Sequence, residues 1–198
     1  MMMMNRCKQL LGLVTLGLVA VGCGSPLRSG DSGEAAGVER ESVVGPRKEI
    51  PMVGYDLRRL RPTDEPLVES FKRISGATTR DGRRVAVLFS ADWCEPCRDL
   101  EIELGNLHPQ GTIDDVRIVE LKEEDWQKAV RMDEYNELRA QWDRVLNRYP
   151  LFVVLDDDGA ALEEMQRGRE RLEEAGVAAT IPNWFASLRS SNWRSPGG

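Results

Sequence analysis

Histidine and cysteine are scarce in this chain: among its 198 residues there are one histidine and four cysteines. A protein zinc site draws most of its ligands from these two residue types, and the single histidine, His108, stands in a His-Pro-Gln-Gly stretch that is typical of a loop. We therefore expect no metal site, and no motif indicates another cofactor. Neither a serine–histidine–acid set nor a glycine-rich phosphate loop is evident, so hydrolases and nucleotide enzymes of those classes are not indicated.

Basic clusters and long apolar runs are missing as well. The formal net charge is −6 and no basic face stands out, which argues against a nucleic-acid-binding protein. The apolar or small-residue stretch over residues 10–21 is interrupted only by Thr15, and it is shorter than the ~20 residues that a transmembrane helix needs. Hydrophobic residues still make up 41% of the chain, which is enough for one globular domain with appendages.

The N-terminus has the pattern of an export signal. Arg6 and Lys8 precede the apolar stretch, which ends in Ala-Val-Gly-Cys at residues 20–23. This ending resembles the lipobox of bacterial lipoproteins, in which the cysteine receives lipid and becomes the mature N-terminus; Ala20 stands where leucine is more usual. The resemblance implies a lipoprotein signal peptide over residues 1–22 and lipidation at Cys23. Simple secretion and an uncleaved N-terminal helix are the alternatives.

Residues 23–51 are rich in glycine, serine, glutamate and arginine and poor in large apolar side chains. Such a segment cannot bury enough surface to offset the entropy of ordering, so we predict a lipidated, flexible tether. The folded domain would then cover residues 52–198. This organisation predicts a protein of the cell envelope, lipid-anchored to a membrane and facing the extracytoplasmic side. The sequence does not distinguish inner from outer membrane.

The periodicity of the apolar residues predicts an α/β domain with a central mixed sheet and helices on both faces. The predicted elements are a helix from Leu67 that Gly76 closes, strands over 85–91, 116–121, 151–155 and 160–166, a helix over 94–107, a long helix over 125–148, a final helix over 181–188 and an extra strand near 52–57.

One cysteine pair lies deep in the chain. The continuous apolar strand over residues 85–91 runs directly into Asp92-Trp93-Cys94-Glu95-Pro96-Cys97 and then into a helix. A cysteine at a helix N-terminus meets unpaired backbone N–H groups and the positive end of the helix dipole, and both favour the reactive thiolate. On these grounds the pair is redox-active, structural or half of a metal site, and the scarcity of further ligands argues against the last.

The segment Ala91-Asp92-Trp93-Cys94-Glu95-Pro96-Cys97 resembles the A-x-W-C-x-P-C signature of the thioredoxin superfamily. Family members also carry a cis-proline just before a buried strand, and Tyr149-Pro150 before Leu-Phe-Val-Val-Leu fits that feature. The resemblance implies a thioredoxin-like fold, with Cys94 as the attacking cysteine and Cys97 as the resolving one. It implies further that Trp93, Tyr149 and Pro150 line the substrate groove and that Gly168 allows close approach of substrate.

The sequence departs from the family at Leu88, which stands where thioredoxin has a buried carboxylate. We therefore expect Cys97 to lose its proton slowly, to water, to Glu95 or to an acid elsewhere in the fold.

Together these features predict an envelope thiol–disulfide oxidoreductase. Its partners would be disulfides of extracytoplasmic proteins and a membrane or periplasmic thiol that donates electrons. The alternative is a thioredoxin-fold binding or assembly lipoprotein with little redox turnover.

Overall fold

The computed structural model describes residues 49–189, so the predicted signal peptide, Cys23, most of the predicted tether and the last nine residues lie outside the described part. Within it the elements, in chain order, are β1 (Met52–Val53), β2 (Asp56–Arg59), α1 (Leu67–Arg80), β3 (Arg84–Ser90), α2 (Glu95–Leu104), β4 (His108–Pro109), β5 (Val116–Lys122), α3 (Glu123–Lys128), α4 (Met132–Arg139), β6 (Leu151–Leu155), β7 (Ala161–Glu164), α5 (Met165–Glu174) and α6 (Ile181–Arg189).

A five-stranded sheet with the order β2-β5-β3-β6-β7 forms the centre of the domain. Strands β2, β5 and β3 run parallel, whereas β6 pairs antiparallel with β3, and β7 antiparallel with β6. The central strand β3 is buried along its whole length, as its continuous apolar sequence predicted. The short strands β1 and β4 form a separate antiparallel ribbon. The predicted α/β architecture with a mixed sheet is confirmed.

Helices cover both faces of this sheet because successive side chains of a strand point to opposite sides. On one face Ala86 and Leu88 pack with Leu100 of α2 and with Trp184 and Phe185 of α6. The core on the other face is built from β3, α1, α3 and α4; its members include Val85, Val87, Phe89, Leu67, Phe71, Trp126, Tyr135 and Leu138. The cysteine helix α2 thus lies on the face toward which Leu88 points.

The predicted long helix over 125–148 is wrong. It is replaced by two short helices, α3 and α4, separated at Val130, which adopts a φ of 57° that a helix cannot contain. Within the described residues no helix or strand follows Arg139 until β6, and across this stretch the buried Arg139 side chain bonds to Asp143 and to the Arg148 carbonyl. Val145, an apolar residue within the predicted helix, is exposed.

Several predicted boundaries also move. Helix α1 continues through Gly76 to Arg80, and α2 ends at Leu104 rather than near residue 107. Strand β7 ends at Glu164, so Gln166 is helical. The extra strand predicted near residues 52–57 is present as the separate strands β1 and β2. Within residues 49–189, no helix combines the length and the hydropathy that a membrane crossing requires.

Candidate functional site

The cysteine pair lies at the junction of β3 and α2. Cys94 is the N-cap residue of α2 and Cys97 lies in its first turn, with the two sulfurs joined in a disulfide and the Cα atoms 5.2 Å apart. The backbone N–H of Cys97 donates to the sulfur of Cys94 at 3.2 Å. Pro96 fits this first turn because no helical partner is needed for the amide it lacks. The sulfur of Cys94 therefore receives a backbone hydrogen bond at the positive end of a helix, which favours its thiolate.

Both cysteines are buried, in a small cluster with Ala91 and the half-buried Tyr149. Cys94 is 3% exposed and Cys97 is 1% exposed. In the disulfide form the two residues therefore differ little in exposure. By contrast Trp93 is 65% exposed, next to the pair. A large aromatic side chain left in solvent beside a reactive pair offers contact area to a partner.

The Tyr149–Pro150 peptide bond is cis, as the resemblance implied. The ring of Tyr149 meets the ring of Trp93 edge to face, with centroids 5.3 Å apart. Strand β6 begins directly after Pro150 and pairs with β3, which brings the proline loop to the cysteine helix. The structure thus brings together all five residues predicted to form the site: Trp93, Cys94, Cys97, Tyr149 and Pro150.

Tyr149 is supported from below by a buried network that the sequence did not reveal. Its hydroxyl lies 3.1 Å from that of Tyr135, and the Arg139 guanidinium stands 4.0 Å from the centre of its ring. Arg139 in turn pairs with Asp143 at 3.2 Å. Burial raises the pKa of Tyr149 to about 12, so the phenol stays protonated. The predicted long helix placed these residues on a regular surface, whereas here they hold the proline loop in place.

Two carboxylates in the first turn of α3, which follows β5 directly, hold the loop before Cys94. The Trp93 indole N–H donates to Glu123 at 3.2 Å, and the Asp92 amide donates to Glu124 at 2.8 Å. Lys122 bonds to the Asp92 carboxylate at 3.0 Å, and this bond lowers the pKa of that carboxyl. The order of the strands could have predicted these contacts. Neighbouring parallel strands end at the same edge of the sheet, so the charged residues after β5 lie beside the residues that follow β3.

A cavity of about 550 Å³ opens on the other side of the proline loop. Its apolar floor includes Leu100, Pro150, Phe152 and Met165, and Pro96 of the cysteine motif forms part of its rim. Charged side chains surround this floor, among them Asp99, Glu103, Arg148, Glu164 and Arg169.

Two further sequence expectations are corrected by the structure. Gly168 lies within α5 rather than at the end of a strand, and a Cβ atom there would lie 2.3 Å from the Trp184 ring, so its role is helix packing and not substrate approach. His108 is in β4 rather than a loop, and its ring packs against Tyr55 with centroids 5.2 Å apart. Over residues 49–189 there is no group of three or more side chains arranged to bind a metal ion.

The comparisons with solved structures give similarities at the level of the fold. The chain is similar to a disulphide isomerase from Xylella fastidiosa Temecula1, with 18% identity, a TM-score of 0.45, and coverage of 67% of this chain and 98% of that one. It is also similar to a poplar thioredoxin h, with 20% identity, a TM-score of 0.41, and coverage of 68% and 95%. A third similar structure is Trxlp from Edwardsiella tarda EIB202, with 17% identity, a TM-score of 0.37, and coverage of 66% and 97%.

No family model matches the chain, and the search of curated proteins gives no match. The fold is thioredoxin-like: a mixed sheet with β3 at its centre, a cysteine helix after that strand, and a cis-proline before the antiparallel strand β6.

Proposed function

We propose that this chain is a thiol–disulfide oxidoreductase that works through Cys94 and Cys97. The observation that carries the proposal is the position of Cys94 at the N-cap of α2, where its sulfur accepts the Cys97 N–H. A thiolate is the nucleophile of disulfide exchange, and this position stabilises it. Tyr149 of the adjacent proline loop packs against the cysteine pair and the Trp93 ring, so a substrate segment held by this loop would lie beside the sulfurs.

The reaction proceeds in two exchange steps. The Cys94 thiolate attacks one sulfur of a substrate disulfide, forming a mixed disulfide, and the other substrate sulfur leaves as a thiolate. Cys97, once deprotonated, then attacks the Cys94 sulfur; the mixed disulfide breaks and the second substrate thiolate leaves. The substrate disulfide is thereby reduced, and the cysteine pair is oxidised to the disulfide. An envelope thiol donor returns the pair to the dithiol, and the same steps run in reverse when the substrate is a dithiol.

Trp93, Tyr149 and Pro150 provide the binding surface in this proposal. An extended segment of a substrate protein lies along the proline loop, with the exposed Trp93 on one side and the cavity on the other. The apolar floor of the cavity accepts a side chain that neighbours the substrate cysteine. The substrates we propose are disulfides of extracytoplasmic proteins, because the sequence predicts export and a lipid anchor at Cys23.

Reduction of insulin by the purified full-length chain, with a thiol as electron donor, tests the redox activity. Replacement of Cys94 by serine should abolish the activity, while Cys97→Ser should accumulate mixed disulfides with substrate. The thioredoxin-fold binding protein is the competing reading. It would be favoured if the wild type bound unfolded, disulfide-containing polypeptides but left insulin intact, and that result would refute the oxidoreductase.

Alkylation of the reduced chain with iodoacetamide tests the roles of the two sulfurs. Cys94 should react first and at lower pH, because its sulfur occupies the N-cap. Peptide mass analysis after a short pulse would identify the modified residue, with the disulfide form as the unreactive control. Earlier modification of Cys97 would reverse the assignment of attacking and resolving cysteine.

The anchor is tested separately from the chemistry. Metabolic labelling with radioactive palmitate should mark the mature chain, and Cys23→Ala should remove the label and release the protein from the membrane fraction. Cys7→Ala is the matched control, since that residue lies within the predicted signal peptide. Retention of the label in Cys23→Ala would rule out lipidation at this position.

A further inference from the structure

Glu120 is a buried carboxylate that the steps above do not use. It is 5% exposed and stands in β5 between Val119 and Leu121. In the parallel pairing of β5 with β3 its register partner is Leu88, the position at which the sequence departs from the family's buried carboxylate. Register partners on adjacent strands lie about 4.8 Å apart and point to the same face. The neighbouring strand therefore places a buried carboxylate beside Leu88 on the same face of the sheet.

The face on which Glu120 lies is the one covered by the cysteine helix. Leu88 packs with Leu100 of α2, and Cys97 is on the same inward stripe of that helix. The hydroxyl of Ser90 donates to the Glu120 carboxylate at 3.0 Å, and Ser90 is the last residue of β3, shortly before Cys94. Glu120 is thus tied to the strand end that leads into the active-site loop.

The surroundings of Glu120 raise the pKa of its carboxyl above the ordinary value, and burial is the largest cause. Burial raises the pKa of Glu120, and Glu101 of α2 adds to that effect. The hydroxyl of Ser90 and the cations Lys122 of β5 and Arg59 of β2 oppose it, although Lys122 is itself engaged with Glu101 and with Asp92 of the loop. A carboxylate whose pKa is shifted toward neutrality is a better proton acceptor for a thiol than an exposed one.

Glu95, the other acid close to the pair in sequence, does not share this setting. Its side chain is exposed in the first turn of α2, whereas Cys97 faces the interior. Leu88 itself is buried among apolar residues and carries no titratable group. Glu120, in contrast, is buried on the face of the sheet that α2 covers, which is the face toward which Cys97 points.

We propose that Glu120 is the acid–base group for Cys97, taking its proton when the mixed disulfide is resolved. This inference rests on the proposed function. The Cys97 proton passes to the Glu120 carboxylate, and the resulting thiolate attacks the Cys94 sulfur. The sulfur–sulfur bond to substrate breaks, and the substrate leaves as a thiolate. In the reverse direction the protonated Glu120 returns the proton to Cys97. The mixed disulfide is then resolved faster near neutral pH than we expected from the absence of a carboxylate at Leu88.

The test follows the two exchange steps separately in the reduced full-length chain. An aromatic disulfide reagent that releases a coloured thiol gives one release when Cys94 reacts and a second when Cys97 resolves the mixed disulfide. Cys97→Ser lacks the second release, so it also supplies the background from Cys7 and Cys23. The rate of the second release is measured against pH in the wild type, in Glu120→Gln and in Ser90→Ala.

Glu120→Gln should slow the second release about 100-fold near pH 7, the lower end of what general acid–base catalysis contributes. The deficit should shrink as pH rises and the thiolate of Cys97 forms unaided, while the first release is unchanged. Ser90→Ala retains the carboxylate but removes a bond that lowers its pKa, so the midpoint of its rate profile should move to higher pH. Glu163→Gln, the same substitution at a hydrogen-bonded strand carboxylate of β7, is the matched control and should leave the profile unchanged.

A wild-type profile in Glu120→Gln, or slowing by one constant factor at every pH, would overturn the proposal. If Glu120→Gln does not fold, an unshifted midpoint in Ser90→Ala overturns it instead. Insulin reduction distinguishes this failure from that of the proposed function. A wild type that leaves insulin intact but shows the Glu120-dependent second release refutes the oxidoreductase alone.

Discussion

The two halves of the site are built in different ways. The cysteine half, residues 91–97, takes its properties from local backbone: a strand end, an N-cap and the first turn of a helix. The proline half, residues 139–150, contains no regular element after α4 and depends on side chains that are buried far from solvent, Arg139 and Asp143 among them. A short sequence motif predicts the local backbone structure, but it does not predict a network of buried side chains. We therefore expect substitutions in the proline half to lower the stability of the protein without altering the cysteine motif itself.

The largest effect is expected at Arg139. Arg139→Leu removes the buried cation that pairs with Asp143 and stands beside the Tyr149 ring, and it leaves Asp143 only the longer contact with the exposed Arg148 at 3.6 Å. Breaking one side of a buried pair costs about 3–5 kcal/mol of unfolding free energy. Urea unfolding measures the loss, and Arg144→Leu, at an exposed position of the same segment, is the control. Equal stability of the two variants would mean that the network does not support the proline loop.

A smaller loss is expected at Gly168, which tests packing behind the site rather than the site itself. In Gly168→Ala the new Cβ would lie 2.3 Å from the Trp184 ring, so α5 or α6 must shift. Overpacking of this kind costs about 1–3 kcal/mol, measurable by thermal or urea unfolding. Gly76→Ala in α1 is the contrast: its Cβ meets only the end of Arg80 at 3.5 Å, and replacing a helical glycine should stabilise by up to about 1 kcal/mol.

The insulin-reduction rate per folded molecule should be the same in both glycine variants. A selective loss of that rate in Gly168→Ala, with unchanged stability, would restore the role in substrate approach that the sequence suggested for Gly168.

The smallest effect is expected at Tyr149. Tyr149→Phe keeps the ring contacts with Trp93 and Arg139 and removes the hydroxyl, with its hydrogen bond to Tyr135 and its interaction with Glu123. One such bond contributes about 1 kcal/mol, and Tyr135→Phe should cost a similar amount. The double variant, examined by a mutant cycle in urea, should lose less than the sum of the two single losses. Additive losses would show that the two hydroxyls do not share a bond.

The sequence predicted the central features of this fold because they depend on local pattern. The buried strands β3 and β6 and the helix after Cys94 follow from short segments of sequence, and the cis Tyr149–Pro150 bond follows from the family resemblance. The long helix failed because helical periodicity continued through Val130, whose positive φ interrupts it and which no composition signal marked.

Glu120 was missed for a different reason. The strand was predicted from its apolar residues alone. In an alternating pattern, a single glutamate between Val119 and Leu121 is expected on the exposed side of the strand. Its burial depends on the arrival of α2 over that face, which is a tertiary event. Likewise Glu123 and Glu124 follow β5 as an ordinary charged run, and only the parallel register beside β3 brings them to Trp93 and Asp92.

The small ribbon of β1 and β4 has a mechanical consequence. The chain enters the sheet through Met52–Val53, which pairs with His108–Pro109, and then forms the edge strand β2 parallel to β5. The entry point is at the opposite end of the parallel strands from Cys94, which follows the end of β3. A pulling force applied through the N-terminal segment would load the ribbon and the edge strand first, in shear. The junction of β3 and α2 would bear that load last, so the reactive sulfurs would keep their geometry while the outer strand yields.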